Sequence, residues 1–409
     1  MNAPKVAVCG VRYSSNLGDG VISDCLGWMI KQCVANVAIA DVDLAGRTEF
    51  GEQTVAQRRL KLRLLLSLPR VLQDALVRFV LGRKLQRDLK PSWRASLTGC
   101  SAALIGGGQL LSDSDLNFPL KIEGLVDILE ELKVPAAVYA CGVTRSGGSG
   151  TQVLRESLAA SSIRSVYVRD QKSMAVIRDF GVDEPHLAYD PAIHVAEAYE
   201  HSRATEADLD VGLSFTDPVN MKYSSGRELP FADHLPEIMK TVVEALSSAG
   251  SRVGLFTNGA VEDEQFLDHC DASFQFTSLP GVQRLPRPIE PSELVQSIGR
   301  FRKIAAHRLH TNIIAFGLGI PSVGLEWSQK VPHFFELAGR SEFLIGKDEL
   351  TSDRMLDRLD SLTQDSANAH RLVEMKQDSL GMLRQAIKTL GITVRSVNSI
   401  PEEEMQQDG

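Results

Sequence analysis

Two histidines and one arginine fall within four residues, His307-Arg308-Leu309-His310, in the segment Lys303–Lys330. The segment reads as a short apolar strand, this polar cluster, an Ala/Gly-rich helix over about 312–318, and a second strand, Pro321–Leu325. A cation-bearing turn leading into a helix N-terminus is suited to an anion, because free N–H groups and the helix dipole add to the side-chain charge. An imidazole beside it can carry a proton near neutral pH. Arg308 is therefore a candidate anion grip and His310 a candidate acid–base group. In an extended segment His307 points to the opposite face from Arg308.

Three further loops and a turn also follow apolar strands, where doubly wound sheets place ligands. In Ser14–Gly20, Asn16 and Asp19 flank Gly18. Contact with a ligand or a facing domain is one reading, and an N-cap turn with Asp19 as the cap is the other. Gly106-Gly107-Gly108 leaves room for a ligand against bare backbone, or forms a plain tight turn. It is not a dinucleotide fingerprint, since Leu111 stands where the last glycine belongs, and no Lys-Ser or Lys-Thr follows to make a phosphate loop. Arg169, at the end of Val166–Val168, could grip a phosphate or carboxylate with both arms of its guanidinium, or pair with Asp170. Asp190-Pro191 is a rigid turn bearing one carboxylate. No HExxH, GxSxG or paired Cys/His spacing occurs, so neither a metal site nor a serine hydrolase is expected, and no cofactor is demanded.

These loops need a frame. Apolar strands at Lys5–Val11, 37–42, 102–105, 136–140 and 165–168 alternate with helical stretches at 21–34, 122–132, 152–161 and 171–180. After a polar, acidic stretch over 194–208, read as a linker, the alternation resumes: strands at 211–215 and 252–257, helices at 235–249, 262–270 and 292–301, and a last strand at 343–345. The pattern is helical from 348 to about 390 and polar thereafter. The fold class is α/β, with two Rossmann-like doubly wound domains facing a cleft and a C-terminal helical extension. The expected boundaries are 1–197, 209–347 and 348–409.

At 409 residues, two domains are the natural expectation, and the net charge of −8 argues against nucleic acid as a general partner. Six scattered cysteines suggest buried, reduced thiols. The N-terminus lacks a signal-peptide pattern and no apolar run is long enough to span a bilayer, so a cytoplasmic location is expected. One segment is anomalous. Residues 55–94 hold eleven basic residues against two acids, Asp74 and Asp88, with leucines and valines between them. One or two basic amphipathic helices are expected there. They would be either a solvated insertion over a sheet face or a peripheral contact with anionic lipid at the inner face of a membrane.

In order, Asn16-Leu17-Gly18-Asp19, Gly106-Gly107-Gly108, Tyr167-Val168-Arg169-Asp170 with Ser173, Asp190-Pro191, Arg308-Leu309-His310, Gly319-Ile320-Pro321 and Lys330-Val331 resemble the polysaccharide pyruvyl transferase family, over roughly 5–340. The resemblance implies a glycosyltransferase-B-like pair of domains. It also implies transfer of a pyruvyl group from phosphoenolpyruvate to two hydroxyls of a sugar, making a cyclic ketal on a polysaccharide or its lipid-linked precursor. Under it, His310, Asp19 and Asp190 become the candidate catalytic residues. Arg169, Arg308, Leu309, Asn16, Gly18 and Gly106–Gly108 become the binding set, with a glycan or lipid-linked oligosaccharide as acceptor. The chain departs from the family pattern at His307, where a small or hydroxyl residue is usual, at the shifted Trp327, and in the basic insertion. A nucleotide-sugar glycosyltransferase of similar architecture, with Glu326 holding the ribose, and a non-catalytic relative are the competing readings.

Overall fold

The computed structural model describes residues 3–51, 69–113, 115–145, 147–201, 206–225, 229–363 and 366–395. Among the described residues, fourteen strands run in chain order: β1 Lys5–Gly10, β2 Ala38–Asp43, β3 Ala102–Gly106, β4 Leu111–Ser112, β5 Ala136–Cys141, β6 Val143–Thr144, β7 Ile163–Val168, β8 His186–Leu187, β9 Leu209–Ser214, β10 Val253–Leu255, β11 Val282–Arg284, β12 Phe301–Ala306, β13 Ser322–Leu325 and β14 Leu344–Ile345. They form two six-stranded sheets, ordered β2-β1-β3-β5-β7-β8 and β11-β10-β9-β12-β13-β14, and a small β4-β6 ladder. All pairings are parallel. Central strands such as β3 (AALIG) and β5 (AAVYAC) are buried along their whole length, as strands covered on both faces must be.

The N-terminal lobe carries α1 Gly18–Cys33, α2 Arg70–Lys84, a π-helical turn Leu85–Leu89, α3 Lys90–Leu97, α4 Asn117–Leu132, α5 Gly150–Leu158, α6 Gln171–Asp179 and the short α7 Val195–Ala198. The C-terminal lobe carries α8 Pro218–Ser225, α9 Leu235–Ser248, α10 Val261–Phe274, α11 Pro291–Gly299, α12 Leu309–Gly317 and α13 Lys330–Leu337. Two further helices follow, α14 Ser352–Ser361 and α15 Ser366–Thr389. Met355 and Leu359 of α14 join the C-terminal core. Leu383, Ala386 and Ile387 of α15 pack instead on Val6, Val8 and Tyr139 of the N-terminal sheet. The last helix therefore returns across both lobes. Leu17, Val21 and Ile193 share one buried cluster with Ile313, Ile314 and Phe316, so the lobes meet through apolar surface.

Several expectations need correction. The helix expected over 312–318 begins at Leu309, because the Asn312 side-chain Nδ2 donates to the carbonyls of Ala306 and Arg308 and closes the first turn early. Asp19 is not the cap of α1. Leu17 holds that position without a side-chain cap, and Asp19 lies in the first turn. The start of the stretch read as a linker is ordered. Pro191–His194 is a 3-10 turn running into α7, and His194 is buried against Trp28 with a hydrogen bond to Ser379. Of the basic stretch, residues 70–97 are helical, while 52–68, like the polar tail beyond 395, lie outside the described residues. All six cysteines are buried and unpaired. Among the described residues, no helix is long and apolar enough to cross a membrane.

Candidate active site

Each sheet reverses its strand order at a switch point, between β1 and β3 in one lobe and between β9 and β12 in the other, and loops at the carboxyl ends there build the cleft. The β1 loop delivers Asn16, Gly18 and Asp19, and the β3 loop delivers Gly106–Gly108. Arg169 follows β7 and Asp190 follows β8. From the other lobe, Arg308 caps α12 in extended conformation, placing Leu309 and His310 in its first turn. The lobes touch here. The Leu17 amide donates to the Asn258 carbonyl at 3.1 Å. Gly18 lies so close to His310 that a Cβ on it would stand 2.4 Å from that of His310.

Asp190 is the junction. One carboxylate oxygen lies 3.7 Å from Nη1 of Arg169 and 3.8 Å from Nε2 of His310, the other accepts the Ala192 amide at 3.1 Å, and all three residues are buried. Burial alone would raise the Asp190 carboxyl. His310 and Arg169, helped by the Ala192 amide, outweigh it and hold the group below its ordinary value. The second arm of Arg169 donates to Oε1 of Gln109 at 3.0 Å, and Gln109 in turn donates to Thr144. Gly142 leaves the guanidinium room, since a Cβ there would stand 2.7 Å from Nη2. The alternative pairing of Arg169 with Asp170 does not form. Asp170 instead caps α6, accepting the amide and hydroxyl of Ser173.

Arg308 is engaged within its own lobe. Its guanidinium is held by Asp263, at 2.7 Å from both Nε and Nη2. His307 is buried between Phe215 and Phe231, and its carbonyl accepts the Trp327 indole at 2.9 Å. Burial, then the neighbouring Arg308, push its imidazole down to about 3, so it stays neutral. Glu326 accepts from Gln329 and from the Lys347 amide.

Lys330 is the cation the sequence reading left out of the site. It opens α13 and lines a hollow with Arg169, Asp190, Leu309, His333 and Phe334. Enclosure by protein, reinforced by Arg169 and Arg308 and opposed by Asp19, lowers its ammonium to about 8. Asp19, facing Gly108, is raised by the same enclosure, against the pull of His310. Lys330 occupies the strand-end position, after β13, that made Arg169 a candidate after β7, and that position was the signal. Gln109 was signalled only by following the three glycines. Asp190 Oδ2, His310 Nε2, Asn16 Oδ1 and Asn258 Nδ2 are buried polar atoms with no hydrogen-bond partner among the described residues.

This arrangement belongs to a two-lobed α/β fold of the glycosyltransferase-B type. The fold resembles a putative UDP-N-acetylglucosamine 2-epimerase from Listeria monocytogenes (TM-score 0.53, 11% identity, 95% of this chain and 96% of that one). It also resembles the α,α-trehalose 6-phosphate synthase of Burkholderia multivorans (0.53, 12%, 96% and 98%) and the UDP-N-acetylglucosamine 2-epimerase of Rickettsia bellii (0.51, 12%, 95% and 98%). No functionally curated protein matches the chain in sequence. The family model for polysaccharide pyruvyl transferase matches residues 16–329, and the chain belongs to that family.

Proposed function

We propose that the protein transfers the pyruvyl group of phosphoenolpyruvate to two hydroxyls of a sugar on a polysaccharide or its lipid-linked precursor, forming a cyclic ketal and releasing phosphate. The observation that carries this reading is that Arg169 from one lobe and Lys330 from the other line a single hollow beside His310. A compact, multiply charged anion needs such converging cations, and buried charges of this kind need a counter-ion that Asp190 and Asp19 supply only in part.

In this reading Arg169 and Lys330 hold the phosphate and carboxylate. His310 gives a proton to the methylene carbon, leaving an oxocarbenium-like centre on the adjacent carbon. One sugar hydroxyl attacks that centre and loses its proton. The C–O bond to phosphate then breaks, and the second hydroxyl closes the ring. Two hydroxyl protons are thus given up, one remaining in the new methyl group and one leaving with phosphate. Asp190 orients His310. Asp19, whose enclosure makes it the readier proton acceptor, takes protons from the acceptor hydroxyls, and Gly106–Gly108 let the ligand lie against backbone.

The test incubates purified protein with phosphoenolpyruvate and a cell-envelope glycan extract. Phosphate release with a matching mass gain in the glycan is expected. A glycan that gains mass only from a nucleotide sugar would overturn the reading.

A further inference from the structure

Away from the cleft, α2 is apolar on two faces. Val77 and Leu81 pack inward on the N-terminal core, followed by Leu85 and Leu89 of the π-helical turn. On the opposite side Leu72, Leu76, Phe79 and Val80 are 53%, 44%, 57% and 58% exposed, and they make up four of the seven large exposed hydrophobics among the described residues. Their spacing puts them on one outward stripe. Arg83 continues the stripe, its guanidinium 4.4 Å over the Phe79 ring, and Lys84 and Arg87 are exposed beside it. Asp74, the one acid in α2, lies two residues after Leu72, about 200° round the helix and off the stripe.

We propose that this face docks the protein on an anionic bilayer surface. Aliphatic and aromatic side chains in a row enter the boundary between headgroups and acyl chains, and arginines at the rim pair with lipid phosphates. An arginine folded over an exposed phenylalanine is the posture of a cation that keeps its head in the polar layer while its neighbour goes deeper. The charge fits an anionic surface: this cationic element sits in a chain of net charge −8. A second copy of the chain fits less well, because four half-exposed side chains fall short of the roughly 800 Å² per partner of a standard interface. The face also adjoins the cleft rim. Lys84 donates to the Ala45 carbonyl just beyond the carboxyl end of β2, and Arg47, bound to Asp43, acts on Asp19. Docking in this way would turn the cleft edge toward the lipid, and it does not depend on which group the cleft transfers.

The test is flotation of the full-length protein with vesicles of phosphatidylcholine, with and without phosphatidylglycerol. Two double variants accompany it, Leu76→Asp/Phe79→Asp and Arg83→Glu/Arg87→Glu, each checked by thermal melting. The expected result is salt-sensitive binding to the anionic vesicles only, reduced at least about tenfold in either variant with melting unchanged. Wild-type protein that ignores anionic vesicles, or variants that bind as well as wild type, would overturn the proposal. So would a solution dimer dissolved by Leu76→Asp/Phe79→Asp in a protein that does not float, which would assign the face to self-association.

Discussion

Gly18 and His310 come from different lobes and touch so closely that a β-carbon on the glycine has no room. The first turn of α1 is thus the wall against which the candidate proton donor rests. Gly18→Ala is expected to displace the imidazole or part the lobes, lowering kcat/KM at least about tenfold. Gly27→Ala, further along the same helix with open space around its missing Cβ, should leave activity intact and stabilise by about 0.5–1 kcal/mol. Steady-state rates and melting curves of the two variants check the contrast.

His310→Gln should abolish turnover, with a loss on the order of 10²–10⁴ in kcat, while the melting temperature changes little. Near wild-type rates in the purified variant would remove His310 from the mechanism. Asp190→Asn, which keeps the shape but not the charge beside Arg169 and His310, should lower kcat and alter its pH profile.

The lowered ammonium of Lys330 predicts where donor binding fails at high pH. The protonated form is the one that attracts an anion, so KM for phosphoenolpyruvate should rise as pH climbs through about 8, well below the ordinary lysine value of 10.5. In Lys330→Arg that alkaline limb should disappear even if affinity falls overall. An unchanged limb at about 8 would mean that some other group titrates there.

Arg169 and Arg308 should separate in kinetics. Arg169→Lys keeps the charge but loses the two-armed grip, so donor KM is expected to rise about tenfold or more. Arg308 is committed to Asp263 within its own lobe, so Arg308→Lys should act first on the melting temperature. Equal KM effects without any stability change would contradict the geometry.

Two buried histidines predict acid sensitivity. Burial depresses both His307 and His194 from 6.5 to about 3. The unfolded chain therefore takes up their protons first as pH falls. The stability they contribute is complete above about 6.5 and is lost as pH drops from there toward 3, at up to about 1.4 kcal/mol per pH unit for each. Denaturation series between pH 7 and 4 should show that slope, and His307→Leu should reduce it by about half.

The frame of the molecule was readable from the chain because short runs such as Ala102–Ile105 and Val166–Val168 are apolar throughout and are followed by glycine or a charged residue. The strand-end loops, and with them Arg169, Asp190 and His310, follow from that alternation. Pairing across long separations was not readable. Asp263, which captures Arg308 from 45 residues away, gives no local sign of doing so. Nor does Phe231, which closes over His307 from an irregular segment. The onset of α12 was misplaced because Asn312, a weak helix former, is held by its own side chain. α13 was missed because its apolar stretch is short and carries Pro332 in its first turn.

The return of α15 to the opposite lobe has a consequence for biosynthesis. Val6, Val8 and Tyr139 emerge early from the ribosome, yet the side chains that finish covering them, Leu383, Ala386 and Ile387, are made hundreds of residues later. The first-made half must wait with one flank of its sheet incompletely clothed. A nascent chain stalled before that helix would be sticky, and shortening the protein from this end would damage the half translated first.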